Sequence, residues 1–145
     1  MASRGFTLIE LLVVLALMAL VVVVASPLIS TAFPGVELKG AARDLAAGLR
    51  YARSQAITRN AEVEFVLDVA NGRFTIGGEK EIGDLPSGLD ISLVTARSET
   101  FGETTGAIRF FPDGSSTGGR ISLAGGAREY HVMVDWLTGR ISVLD

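Results

Sequence analysis

One stretch limits what this chain can become. Between Phe6 and Val36 the sequence carries a single formal charge, Glu10, and the next charged residue is Glu37. The uninterrupted apolar run Leu11 to Ala25, extended by Phe6 to Ile9 and by Leu28-Ile29, gives about 24 residues, or roughly 36 Å of helix, enough to cross a bilayer. The block is apolar around its whole circumference, whereas a helix laid on a domain of this size would show a polar face. A secretory signal fits poorly, because Ala25-Ser26-Pro27 is a weak cleavage site. The reading is a membrane helix. Arg4, the one charge on its N-terminal side, favours a cytoplasmic N-terminus and a domain on the other face.

Removing that segment from 145 residues leaves enough chain for one modest domain with its own core. The net charge of -3, spread over mixed signs, provides no basic field for nucleic acid. Without cysteine there is neither a disulfide framework nor a thiolate metal site. The single histidine, His131, lies in a strand pattern between Tyr130 and Val132 with no nucleophile motif nearby, and reads as structural. No enzyme, cofactor or metal is expected.

Glu10 needs a reason. A carboxylate in a membrane helix costs about 2.5–3.5 kcal/mol near the centre and less toward the interface, and such a group usually marks a partner or a functional site. Snorkelling to the headgroups is one account; a positive charge on a neighbouring chain is the other.

Beyond the apolar block, Pro27, Pro34, Gly35 and Gly40 punctuate a connector expected to be bent or partly unwound. Leu38, Ala42, Leu45, Leu49, Ala52 and Ala56 then recur at spacings of three and four, which predicts an amphipathic helix over Val36 to Arg59. Its arginines, Arg43, Arg50, Arg53 and Arg59, read as a solvated face or as subunit contacts, since few aromatics accompany them for base stacking.

After Asn60 the period becomes two. Glu62 to Leu67 and Arg73 to Ile76 flank Asn71-Gly72, a strong hairpin signal. Ile82 and Leu85 are expected to anchor a polar loop, Leu89 to Thr95 is a further strand, and Ala96 to Gly106 reads as an exposed loop. Four more strands follow at Ala107–Phe111, Arg120–Leu123, Glu129–Trp136 and Arg140–Leu144, with Leu137-Thr138-Gly139 as the last turn. The loop Pro112 to Gly119 lacks a P-loop lysine and leads into a strand, so turn chemistry explains it better than phosphate binding. Helix first and strands after argue for an α+β fold: a long N-terminal hydrophobic helix whose C-terminal half packs on an antiparallel β-sheet or β-sandwich.

Two segments carry a resemblance. Gly5-Phe6-Thr7-Leu8-Ile9-Glu10, behind a short leader holding Arg4, resembles the type III signal of the type IV pilin and pseudopilin superfamily. Phe110 to Gly119, with the ending Asp135-Trp136-Leu137-Thr138-Gly139-Arg140, resembles GspH-type minor pseudopilins of type II secretion and their FimT/FimU-like minor pilin relatives. The resemblance implies cleavage between Gly5 and Phe6 by a prepilin peptidase/N-methyltransferase and methylation of the Phe6 amine. It also implies that Glu10 pairs with the N-terminal amine of an adjacent subunit, and that Pro27 kinks the helix.

It divides the chain into a leader (1–5), an assembly helix (6–30), a connector with the second half of the stem (31–60) and a periplasmic β domain (61–145). The implied partners are other major and minor pseudopilins, an inner-membrane assembly platform and membrane lipid. The implied site is the inner membrane, crossed once, with the N-terminus in the cytoplasm. The expected function is that of a minor pseudopilin helping to export folded proteins across the outer membrane. The alternative is a minor type IV pilin in pilus assembly, adhesion or DNA uptake. The calcium pattern of major pseudopilins is not apparent.

Overall fold

The computed structural model describes residues 7–30, 34–78, 83–96, 99–102 and 104–145. They fall into two units, residues 1–34 and 35–145. The first holds helix α1, Leu8–Ser30. Its described side chains, Leu8 to Val21, are all exposed on the isolated chain. Among the described residues, no helix is long and apolar enough to cross a membrane.

The connector differs from expectation. Pro27 lies inside α1, whose assignment continues to Ser30, and helix α2 begins at Pro34 and runs to Arg59. Of the connector expected to be bent or partly unwound, Ser26 to Ser30 and Pro34 to Gly40 are therefore helical, while residues 31–33 lie outside the described residues. Pro34 occupies the first helical position, where a missing N–H removes no bond and a fixed φ suits the turn. At its other end α2 stops in a Schellman cap. Asn60 takes φ 50°, its amide donates to the Ile57 carbonyl, and the Ala61 amide donates to the Ala56 carbonyl.

In the second unit, α2 packs on two antiparallel sheets. Strands β1 (Val63–Asp68), β2 (Arg73–Ile76), β3 (Gly83–Asp84), β5 (Thr100–Phe101) and β6 (Thr105–Phe110) form one, in the order β3-β2-β1-β6-β5. Strands β4 (Asp90–Thr95), β7 (Gly119–Gly125), β8 (Arg128–Val134) and β9 (Ile141–Leu144) form the other, in the order β4-β7-β8-β9. The six stripe residues of α2 are each 0% exposed and share one core with Phe65, Ile108 and Phe110 of the first sheet and Ile121, Leu123 and Val132 of the second. Close approach is set at Gly48, where an added Cβ would stand 3.0 Å from the stacked rings of Phe65 and Phe74.

Two loops differ from the sequence reading. The β1–β2 connection is not a two-residue Asn-Gly turn, since the last paired residues are Asp68 and Arg73. The Asp68 carboxylate accepts from the Ala70 and Asn71 amides and from the Asn71 side chain, and this ordering draws Val69 and Ala70 into the turn. Nor is Ala96 to Gly106 wholly an exposed loop: Thr100 and Phe101 pair with β6, and Glu99 is buried. Leu85 is buried as expected, while Ile82 lies outside the described residues.

Candidate functional site

The N-terminal candidates are described only in part. Gly5 and Phe6 lie outside the described residues. Glu10 sits exposed in the first turn of α1, just behind Thr7. The Thr7 hydroxyl accepts the Glu10 amide at 3.3 Å and the Thr7 carbonyl accepts the Glu10 and Leu11 amides, so Thr7 caps the helix. Thr7-x-x-Glu10 is the spacing of a capping box, a signal the sequence reading passed over. The cap fixes where the helix starts and so sets the Glu10 carboxylate at the positive end of the helix dipole. Around it the exposed side chains are apolar, Leu8 at 77% and Leu11 at 59%. The carboxylate is thus the one charged group on an apolar helix surface that the described chain leaves uncovered.

The second candidate is the pair of segments Phe110 to Gly119 and Asp135 to Arg140. The fold brings them together on α2. Arg53 donates from Nε to the Gly114 carbonyl at 2.9 Å and from Nη2 to the Thr138 carbonyl at 3.1 Å. Ser116 ties the loops directly: its amide donates to the Trp136 carbonyl and its hydroxyl to the Asp135 carbonyl at 3.1 Å. Gly139, at φ 61°, packs against the Gly114 carbonyl and the Arg53 guanidinium with no space for a Cβ. Gly118, at φ 73°, lies close to Trp136, where an added Cβ would stand 3.0 Å from the Trp136 Cβ.

Each loop is also held from within. The Asp113 carboxylate accepts from the Ser115 amide and hydroxyl, and the Asp135 carboxylate from the Leu137 and Thr138 amides and the Thr138 hydroxyl. These bonds favour the ionised forms and lower both pKa values: Ser115 is the main cause at Asp113, and the Thr138 amide at Asp135. The result is a braced platform from which Trp136 and Leu137 project, about two-thirds exposed. The sequence marked these loops but not Arg53 as their common anchor, because the link spans 61 and 85 residues.

Charge on the opposite sheet is used differently. Arg109 of β6 bonds Glu62 at 2.8 Å and Glu64 at 2.7 Å, and approaches Glu99 at 3.4 Å. Its pKa is raised, chiefly by the Glu62 bond. This accounts for Glu99, whose charge is buried beside a cation. The alternation of Glu62 and Glu64 was the available signal, since Glu64 lies directly opposite Arg109 in the β1–β6 register.

His131 bonds the Ser122 hydroxyl through Nδ1 at 2.9 Å, and Glu129 approaches the same nitrogen at 3.7 Å. A Ser-His-acid relay needs serine and acid on different ring nitrogens, so this trio does not form one. Among the described residues no group of three or more His, Cys, Asp or Glu side chains could hold a metal ion.

Comparison with known proteins adds the following. The family described as type II transport protein GspH matches residues 41–138, and the prokaryotic N-terminal methylation motif matches residues 1–26. The type II secretion system protein H of Xanthomonas campestris pv. campestris is 39% identical over 138 residues, covering 95% of this chain and 81% of that protein. Among solved structures, the minor pseudopilin EpsH from the type II secretion system of Vibrio cholerae is similar at a TM-score of 0.58 and 16% identity, covering 74% of this chain and 95% of that one. The type IV minor pilin FimU of Pseudomonas aeruginosa is similar at 0.57 and 17% identity, covering 78% of this chain and 92% of that one. At these identities the structures speak to the fold alone.

Proposed function

This chain belongs to the GspH family of type II transport proteins, and on that premise we propose that it is a minor pseudopilin, a structural subunit of the type II secretion pseudopilus that helps export folded proteins across the outer membrane. The observation that carries the reading is the family match over 41–138, which spans most of α2, strands β1 to β8 and nearly all of the two loops that Arg53 clasps.

In this role the N-terminal segment does the assembling. A prepilin peptidase cleaves between Gly5 and Phe6 and the new Phe6 amine is methylated, a reading supported by the methylation motif over 1–26. Phe6 to Ile29 then anchors the chain in the inner membrane, crossing once, with the folded unit in the periplasm. A charged amine in lipid needs a counter-charge, and Glu10 is the one carboxylate the apolar segment supplies. Pairing of Glu10 with the Phe6 amine of an adjacent subunit neutralises both and fixes the stagger between neighbours. Pro27, in the last turn of α1, gives the helix a place to bend as it packs among other subunits. The partners are the prepilin peptidase, the other pseudopilins, the inner-membrane assembly platform and lipid.

Likeness to FimU is a likeness of fold and does not favour a pilus role. Deletion of the gene separates the two. Loss of extracellular enzymes with twitching and DNA uptake intact is the expected phenotype, restored by the wild-type chain but not by Glu10→Ala. Loss of twitching or uptake with secretion unchanged would reject the pseudopilin reading.

A further inference from the structure

The cations of α2 do not share one environment. Arg53 is bonded to two loop carbonyls, whereas Lys39, Arg43 and Arg50 are exposed and, among the described residues, make no ion pair. Spacings of four and seven put these three on one side of the helix. That side faces β9. Lys39, Arg43 and Arg50 line a cavity of about 410 Å³ together with Tyr130, Val143 and Asp145. Arg50 and Arg53 line a second cavity, of about 360 Å³, with the segment Thr138 to Ile141. Sharing Arg50, the two are parts of one groove between α2 and β9. Five basic side chains border it, Arg140 included, against one carboxylate among the described residues, Asp145. The chain as a whole is acidic, at a net charge of -3, so this concentration of one sign is local.

The wall opposite the helix is a sheet edge. Strand β9 pairs with β8 alone, and its outer backbone N–H and C=O groups have no strand partner in the sheet. Such an edge is a template for an extended chain, and charged neighbours of one sign decide which chains are admitted. Side chains alternate across a sheet, and Ile141 and Val143, two apart on β9, are its residues that line the groove. A strand added beside β9 would therefore present every second side chain toward Lys39, Arg43 and Arg50.

We propose that the groove between α2 and β9 docks an acidic extended segment of another protein chain as an added strand, with carboxylates at alternate positions facing Lys39, Arg43, Arg50 and Arg140. This goes beyond the assembly role of the N-terminal helix, because every residue involved belongs to the unit 35–145. A polypeptide suits the site better than nucleic acid. The aromatic ring in the groove, Tyr130, is buried at 8% exposure and cannot act as a stacking platform for bases.

The test uses the full chain in nonionic detergent and fluorescence anisotropy of short labelled peptides. The probes are an alternating valine-glutamate peptide, its valine-lysine counterpart, and the glutamate peptide with alternate backbone amides N-methylated. Single-stranded DNA and phosphatidylglycerol vesicles serve as competing polyanions. Saturable, salt-sensitive binding of the glutamate peptide is expected, weakened about tenfold in the Arg43→Gln/Arg50→Gln double variant. The Arg43→Lys/Arg50→Lys variant keeps the charge and should retain binding, while the lysine and N-methylated peptides should fail to bind. Circular dichroism verifies that each variant is folded. The proposal is overturned if the glutamate peptide does not bind, if the glutamine variant binds it unchanged, or if the lysine or N-methylated peptide binds equally well. Tighter capture of DNA or vesicles with the same dependence on Arg43 and Arg50 would also overturn it, in favour of a polyanion surface.

Discussion

Arg53 is a long-range brace built from one side chain. Its two bonds reach carbonyls of loops that are distant in sequence, and Gly114, which offers one of those carbonyls, is buried. Truncation leaves carbonyls without their charged donor, so Arg53→Ala should lower stability by about 1–3 kcal/mol in urea melts. Lysine should rescue it poorly, because a single ammonium does not reproduce the guanidinium fork. A variant as stable as wild type would mean the loops brace each other without α2.

Asp68, Asp113 and Asp135 act at the same scale. All three have folded-state pKa values below their ordinary range, chiefly through hydrogen bonds from Asn71, from Ser115 and from the Thr138 amide respectively. A depressed folded pKa contributes stability that is fully present above the unfolded value and is lost as pH falls through the folded one. Melting temperature should therefore decline below about pH 4. The Asp113→Asn/Asp135→Asn variant should decline less over the same interval, and an identical pH profile would contradict the assignment.

At the scale of elements, α2 organises the folded unit. Its stripe meets both sheets, and Leu45, at 0% exposure, sits in the middle of it. Leu45→Ala should cost about 2–5 kcal/mol, measured by chemical denaturation, as a deleted core leucine does where the surroundings cannot collapse. A loss below that range would place Leu45 outside the core.

This helix was legible because the pattern that specifies it is local. Each stripe position follows from 3.6-residue periodicity, and the later strands follow from alternation and turn residues. What could not be read depends on distant partners. Strand β5 is two residues long and exists by pairing with β6, and Glu99 is buried because Arg109 stands beside it. The first turn of α2, from Pro34, was read as part of a bent connector because proline stops a helix interior yet suits a first turn. The four-residue β1–β2 turn depends on Asp68, whose carboxylate competes with the tight Asn-Gly geometry for the same backbone amides.

At the scale of the whole molecule, the two units answer to different physics. The unit 35–145 buries its own core, while α1 leaves Leu8 to Val21 exposed on the isolated chain. An apolar helix with one carboxylate near its start is, in the role proposed above, completed by lipids and other subunits, with cleavage before Phe6 supplying the amine that the carboxylate pairs with. The N-terminal motif was readable from its residues alone, since leader, glycine, phenylalanine and glutamate stand at fixed spacing. The cap by Thr7 and the clasp by Arg53 needed the fold.

The most direct measurement is mass spectrometry of the N-terminal peptide of the native chain, taken from the fraction crosslinked into pseudopili. The account predicts a peptide that begins at Phe6 and carries one methyl group on its amine. A chain beginning at Met1 or after Ala25, or absent from the crosslinked fraction, would contradict it.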